Sequence, residues 1–153
     1  MTTPPTDPAS ADDPLRMHVA ELNDFLELAF GGDRPYEVVA LAPGTAWLSL
    51  PAEHILLRPG GTVSGPTLMM LADAAAYAVI LAHLGPVALA VTSSLTINFL
   101  RKPEPRGIEA EAAVLKLGRT LAVVEVRLRS AGSPHLVATA VATYAIPSRP
   151  DPT

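Results

Sequence analysis

Residues 64–84 read SGPTLMMLADAAAYAVILAHL, and this stretch decides the fold. Ser64 can cap a helix, and Pro66 suits its first turn, where a missing N–H costs nothing. The body is rich in Ala, Leu and Met, and Gly85-Pro86 ends it. A helix that is apolar on nearly every side is buried on nearly every side. Residues 66–84 are also about long enough to span a bilayer. Asp73 argues against that reading, because an unpaired carboxylate at mid-bilayer costs at least roughly 2.5 kcal/mol. No basic flank marks an orientation. The cover expected for this helix is therefore a sheet wrapped around it, with no membrane span.

The flanking sequence supplies such a sheet. Upstream, residues 36–41 and 45–50 are β-type runs joined by Ala42-Pro43-Gly44, a hairpin signal. Residues 54–58 form a further short apolar run, followed by a Gly-rich loop over 59–63. Before these, Leu15, Val19, Leu22, Leu26 and Ala29 recur at helical spacing. Asp13 as N-cap, Pro14 at the start and Gly31-Gly32 at the end bound an amphipathic N-terminal helix. Downstream, residues 91–100 alternate, with Leu95, Ile97 and Phe99 on one face and Ser94, Thr96 and Asn98 on the other. Residues 108–117 and 121–130 flank Gly118-Arg119-Thr120 as arms of a hairpin, and residues 136–146 form the last strand. The expected class is α+β: an antiparallel β-sheet wrapped around a long central α-helix, with an extra N-terminal helix. One domain covers 14–146. Seven of the 16 prolines fall at 4, 5, 8, 14, 147, 150 and 152, so 1–13 and 147–153 read as flexible tails.

Composition narrows the function. With 153 residues the chain suits one domain, and 49% hydrophobic content is too high for general disorder. A net charge of -4 and 5% aromatics argue against nucleic acid as a partner, which asks for a basic face or stacking platforms. No cysteine is present, which excludes disulfides, thiolate metal sites and a thiol nucleophile. His18, His54, His83 and His135 show no ligand spacing, so neither a metal nor a cofactor is expected. The opening MTTPPTDPASADDP has no basic or apolar region of a signal peptide, and the expected compartment is the cytoplasm.

Two features carry chemistry. Asp73 is the one Asp, Glu, Lys or Arg between Arg58 and Arg101. A buried carboxylate is expensive unless paired or hydrogen-bonded. Either it serves a reaction, or a neighbouring backbone or hydroxyl group satisfies it. The second feature is the helix start at Ser64-Gly65. Its unpaired N–H groups and the helix dipole can polarise a carbonyl oxygen, or they can be an ordinary N-cap. The two features lie nine positions apart, about 13 Å along a helix axis. One chain cannot bring both to one carbonyl carbon. Two chains with antiparallel helices side by side can, so a working site implies at least a dimer. Arg101, Lys102, Arg106, Lys116 and Arg119 place positive charge at strand ends and turns, suited to an anionic ligand or to a solvated rim.

Together these residues resemble the hotdog-fold acyl-CoA thioesterases, specifically the phenylacetate-pathway, PaaI-type group, over roughly residues 35–146. That family carries a His-Gly-Gly turn and, nine positions after the His, a catalytic Asp or Glu. Here Ser64-Gly65-Pro66 and Asp73 stand at that spacing. TSSLTINFLRKP over 92–103 and KLGRTL over 116–121 match two later segments in order. The resemblance implies hydrolysis of a CoA thioester at a dimer interface, in a dimer or a dimer of dimers, with CoA as part of the substrate. Asp73 would be general base or nucleophile. Gly65 N–H from the second chain, beside Ser64, would polarise the carbonyl, and Thr92 would hydrogen-bond the carboxylate or the water. Tyr77 would line the acyl pocket, and Arg101, Lys116 and Arg119 would lie near the CoA phosphates. Arg58 stands where the family often has Asn or Gln to orient water or substrate, Ser64 stands for its His and Pro66 for its second Gly. These departures motivate an alternative, a non-catalytic acyl-CoA or lipid-binding hotdog domain. A hotdog dehydratase fits less well, because Leu57 stands where its His belongs.

Overall fold

The computed structural model describes residues 14–55, 57–87 and 89–148, and only the backbone of Arg58. In chain order the elements are α1 (Val19–Phe30), β1 (Glu37–Ala42), β2 (Thr45–Leu50), β3 (Leu57–Arg58), β4 (Thr62–Val63), α2 (Gly65–Leu84), β5 (Val91–Phe99), β6 (Ile108–Leu117), β7 (Leu121–Ser130) and β8 (Leu136–Ala145). Six strands form one antiparallel sheet in the order β1-β2-β6-β7-β8-β5. The short strands β3 and β4 pair with each other just before α2.

α2 starts where its sequence says it should. Ser64 Oγ accepts from Thr67 N–H, and Pro66 sits in the first turn. The helix stops at Gly85, whose φ of 85° suits a residue without a β-carbon and whose N–H returns to Leu81 O. α2 packs against all six strands of the large sheet. Residues 75–83 are buried throughout. Small residues permit this: Ala72, Ala75, Ala76, Ala78 and Ala82 of α2 meet a sheet whose inner face includes Ala110, Ala112, Ala138, Ala140 and Ala142. Larger side chains fill the flanks, among them Leu48, Leu50, Leu71, Ile80, Ile108 and Leu128, each contributing roughly 1.5–3 kcal/mol on burial. By length and composition α2 is the one described helix that could cross a membrane, and 67% of its apolar window is buried within the fold.

The strand alternation is as read. Val124, Val126 and Leu128 face the core, while Glu125, Arg127 and Arg129 face outward. β5 is an edge strand, paired only with β8. The run over 54–58 is not one strand: Ala52–His54 form a 3-10 turn, and β3 is two residues long.

The N-terminal helix begins later than expected. It starts at Val19, with His18 at the N-cap, and not at Pro14; Asp13 lies outside the described residues. The reason is at the far end of α2, whose last carbonyls have no partner within the helix. Arg16 N–H and Met17 N–H both donate to Ala82 O, at 2.8 and 3.2 Å, and Met17 is buried there. Those amides serve the end of α2, so the chain turns before its own helix begins. Asn23 then fastens α1 to β1: its amide donates to Val38 O and accepts from Val38 N–H, at 2.9 and 3.0 Å. The tail expected at 1–13 lies outside the described residues, as does all of the tail expected at 147–153 except Pro147 and Ser148.

Candidate active site

Asp73 sits midway along α2, partly exposed, where the helix faces the beginning of β5 and the end of β8. Thr92 Oγ1 donates to Asp73 Oδ1 at 2.6 Å. Tyr144 O–H reaches the same oxygen at 2.6 Å and the backbone carbonyl of Asp73 at 3.0 Å. Thr92 and Tyr144 are cross-strand partners, so the β5–β8 register delivers both hydroxyls together. A β-bulge makes this possible. Leu95 and Ile97 face the core, and simple alternation would then turn Thr92 outward. The register shift between Thr92 and Ser94 adds one residue and turns Thr92 back toward α2.

A cleft of about 640 Å³ opens beside Asp73, walled by Phe30, Tyr36, Met70, Tyr77, Val91 and Tyr144. Its aromatic rings form a ladder. Tyr77 stacks on Tyr144 with centroids 6.1 Å apart, and Phe30 meets Tyr77 edge-on at 5.9 Å. Burial raises the Tyr144 hydroxyl well above the ordinary tyrosine range, and its bond to the Asp73 carboxylate raises it further. Tyr36 is raised by burial, against the opposing pull of Arg34 and with a push from Asp73. Tyr77 is raised by burial and by neighbouring Tyr36. Arg34 braces this wall, donating to Tyr36 O and Asn23 O at 2.8 and 3.1 Å.

The helix start faces a second cleft, of about 760 Å³, lined by Pro59, Val63, Gly65, Phe99, Arg101 and Lys102 among others. The donor count there is short. Pro66 has no N–H, Thr67 N–H goes to Ser64 Oγ, and Leu68 N–H goes to Ser64 O. Gly65 N–H is what remains of the helix's orphan donors.

The expected residues thus fall into two groups. Asp73, Thr92 and Tyr77 meet in one cleft, while Gly65, Ser64 and Arg101 belong to the start of α2. The basic residues do not form one cluster within a chain. The pairings Thr92 with Tyr144, Tyr144 with Ala122 and Ala122 with Leu117 put Lys116 and Arg119 at the Asp73 end. Arg101 lies beyond Phe99, seven strand positions or about 23 Å away. The Arg58 side chain lies outside the described residues. Of the four histidines His83 is buried, where its Nε2 accepts from Gly44 N–H, and His18, His54 and His135 are exposed. Tyr144 escaped the sequence reading altogether. Its strand reads simply as the last one, and only the register places its hydroxyl on Asp73.

Known proteins share this fold. The model of the thioesterase superfamily matches residues 60–135. A crystal structure from a Silicibacter species, carried under a provisional thioesterase name, is 43% identical; the match covers 89% of this chain and 96% of that one with a TM-score of 0.83. Phenylacetic acid degradation protein PaaI of Thermus thermophilus, solved as an Asn-to-Asp variant, is 30% identical over 81% of this chain and 99% of that one, with a TM-score of 0.62. Thioesterase superfamily member 2 of zebra fish shares the fold at 22% identity, over 86% of this chain and 99% of that one, with a TM-score of 0.74. No curated protein matches the chain. The chain belongs to the thioesterase superfamily, a class of hydrolases, and within it is a PaaI-like hotdog protein.

Proposed function

We propose that the chain hydrolyses an acyl-CoA thioester at a site completed by a second copy. The observation that carries this reading is the Asp73 carboxylate, held by two hydroxyls and open to an aromatic cleft. The polarising donor, Gly65 N–H, lies at the start of the same helix, about two turns away. A twofold pair with antiparallel α2 helices brings Asp73 of each chain to Gly65 of the other. The unpaired outer edge of β5 supports such an arrangement, as a second β5 can continue the sheet there. The same rotation brings Arg101 of one chain toward Lys116 and Arg119 of the other, which suits a ligand with several phosphates.

In the reaction, the thioester carbonyl accepts from Gly65 N–H and the acyl group lies along Tyr77. Asp73 takes a proton from water, whose oxygen attacks the carbonyl carbon. The carbon–sulfur bond breaks, and the proton passes to the departing thiolate. Direct attack by Asp73, giving an anhydride that water then opens, uses the same contacts. CoA enters as substrate, and the site of action is the cytoplasm. The test is turnover of a panel of short, medium and aryl acyl-CoAs by wild type and Asp73→Asn. A loss of about 100-fold or more is expected on removing the acid–base group, and equal rates would sink the assignment.

One observation favours a second reading, binding without turnover. Ser64, which replaces the family His, is committed to capping: its Oγ lies 2.8 Å from Thr67 Oγ1 and accepts from Thr67 N–H. Tight binding of CoA esters with no hydrolysis across the panel is the result this reading requires.

A further inference from the structure

The two oxygens of Asp73 are not equivalent. Thr92 and Tyr144 both donate to Oδ1, and among the described residues none donates to Oδ2. Tyr144 also reaches the Asp73 backbone carbonyl, so one hydroxyl grips both the side chain and the main chain of the same residue. The grip cannot swing away. Tyr144 is only 3% exposed, and its ring is stacked against Tyr77, which Phe30 in turn supports.

We propose that Tyr144 is a positioning residue that locks Asp73 with Oδ1 occupied and Oδ2 as its reacting oxygen. The proposal rests on the acyl-CoA reading above and deepens it. Two hydroxyl donors on one oxygen use up its lone pairs and fix the carboxylate plane. Oδ2 keeps its lone pairs for the proton of a water, or for a carbonyl carbon. A carboxylate free to rotate would spend most of its time aimed elsewhere, and small errors in aim cost rate steeply. The ladder also ties specificity to aim. An acyl group resting on Tyr77 presses on the ring that is stacked with the ring of the lock.

The test is Tyr144→Phe, which keeps the ring, its stacking and its burial and removes one O–H. With the acyl-CoA that wild type turns over best, kcat is expected to fall roughly ten- to hundredfold, the worth of one hydrogen bond to a charged group. KM is expected to hold within about twofold, because the acyl contacts remain. A merely structural role would lower the melting temperature and leave kcat of the folded enzyme unchanged; that result overturns the proposal. If wild type hydrolyses no ester, the acyl-CoA reading fails by itself. The lock is then read from a crystal structure of Tyr144→Phe. An Asp73 carboxylate turned from its place supports it, and an unmoved carboxylate overturns it.

Discussion

Gly65 and Phe99 are in contact at the start of α2: a β-carbon built on Gly65 would stand 3.2 Å from Cζ of the Phe99 ring. The ring stands on the β-carbon side of Gly65, and both residues line the same cleft. Phe99 is 54% exposed, so it can yield a few tenths of an ångström without disturbing the core. Gly65→Ala therefore keeps both the fold and the N–H, with a stability change within about 1 kcal/mol. Gly65→Pro adds a larger ring and deletes the N–H, at a first helical position where Pro is well tolerated. The kcat difference between the two variants isolates the donor. We expect it to be about 100-fold or more, the usual loss on removing one oxyanion donor. Equal kcat values would take Gly65 out of the site.

A site shared between copies makes a separate prediction. Asp73→Asn and Gly65→Pro each damage both sites of a homodimer. In a heterodimer of the two, one site keeps Asp73 from one chain and Gly65 from the other, and the second site loses both. Equal mixing should restore about a quarter of wild-type activity, because half the dimers are mixed and half their sites intact. Unfolding and refolding the two variants together, then assaying against each alone, measures it. No gain over the separate proteins would place the whole site within one chain.

Much of the fold is legible in the sequence. The Ser64 cap, the all-round apolarity of α2 and the clean alternation of β7 are local signals, and each carried through. Isolation in an apolar helix marked out Asp73, and its spacing from Gly65 put the two out of reach within one chain. What stayed hidden depends on contacts far apart in sequence. Tyr144 lies 71 positions from Asp73, and its role follows from strand register. The bulge that turns Thr92 inward has no marker in VTSSLTINF. The late start of α1 was set by Ala82 O, a carbonyl more than 60 positions away. The sequence places the basic residues at strand ends and turns, but it does not show on which end of the sheet each one falls.

The tyrosines give a pH prediction. The chain has three, Tyr36, Tyr77 and Tyr144, and all three line the Asp73 cleft with ionisation pushed upward, chiefly by burial. In the unfolded chain they lose their protons near pH 10, while the folded protein holds them. Above that pH the unfolded state binds fewer protons than the native one, so stability falls as pH rises. Below it both states are protonated and the tyrosines contribute no slope. Tyrosinate absorbance near 295 nm should stay low in native protein at about pH 10, where a free tyrosine is half ionised, and rise on adding denaturant. Tyr144→Phe should lessen the alkaline loss of stability in urea titrations. Native tyrosinate at its free-solution level would mean the cleft is open to water.

The last prediction concerns the opposite end of α2. Gly44 N–H, in the turn between β1 and β2, donates to His83 Nε2 at 2.9 Å, and Gly44 O accepts from Val114 N–H at the same distance. Both polar groups of the turn residue are thus held by the fold, and His83 ties the hairpin to the buried helix. His83→Leu keeps the apolar bulk and removes the acceptor, leaving a part-buried N–H without its partner. Such a loss costs about 1–3 kcal/mol. His83→Gln offers a carbonyl oxygen to the same N–H and should recover part of that cost. Urea unfolding of the three proteins reads the difference directly. A His83→Leu variant as stable as wild type would show that apolar packing alone holds the turn to the helix.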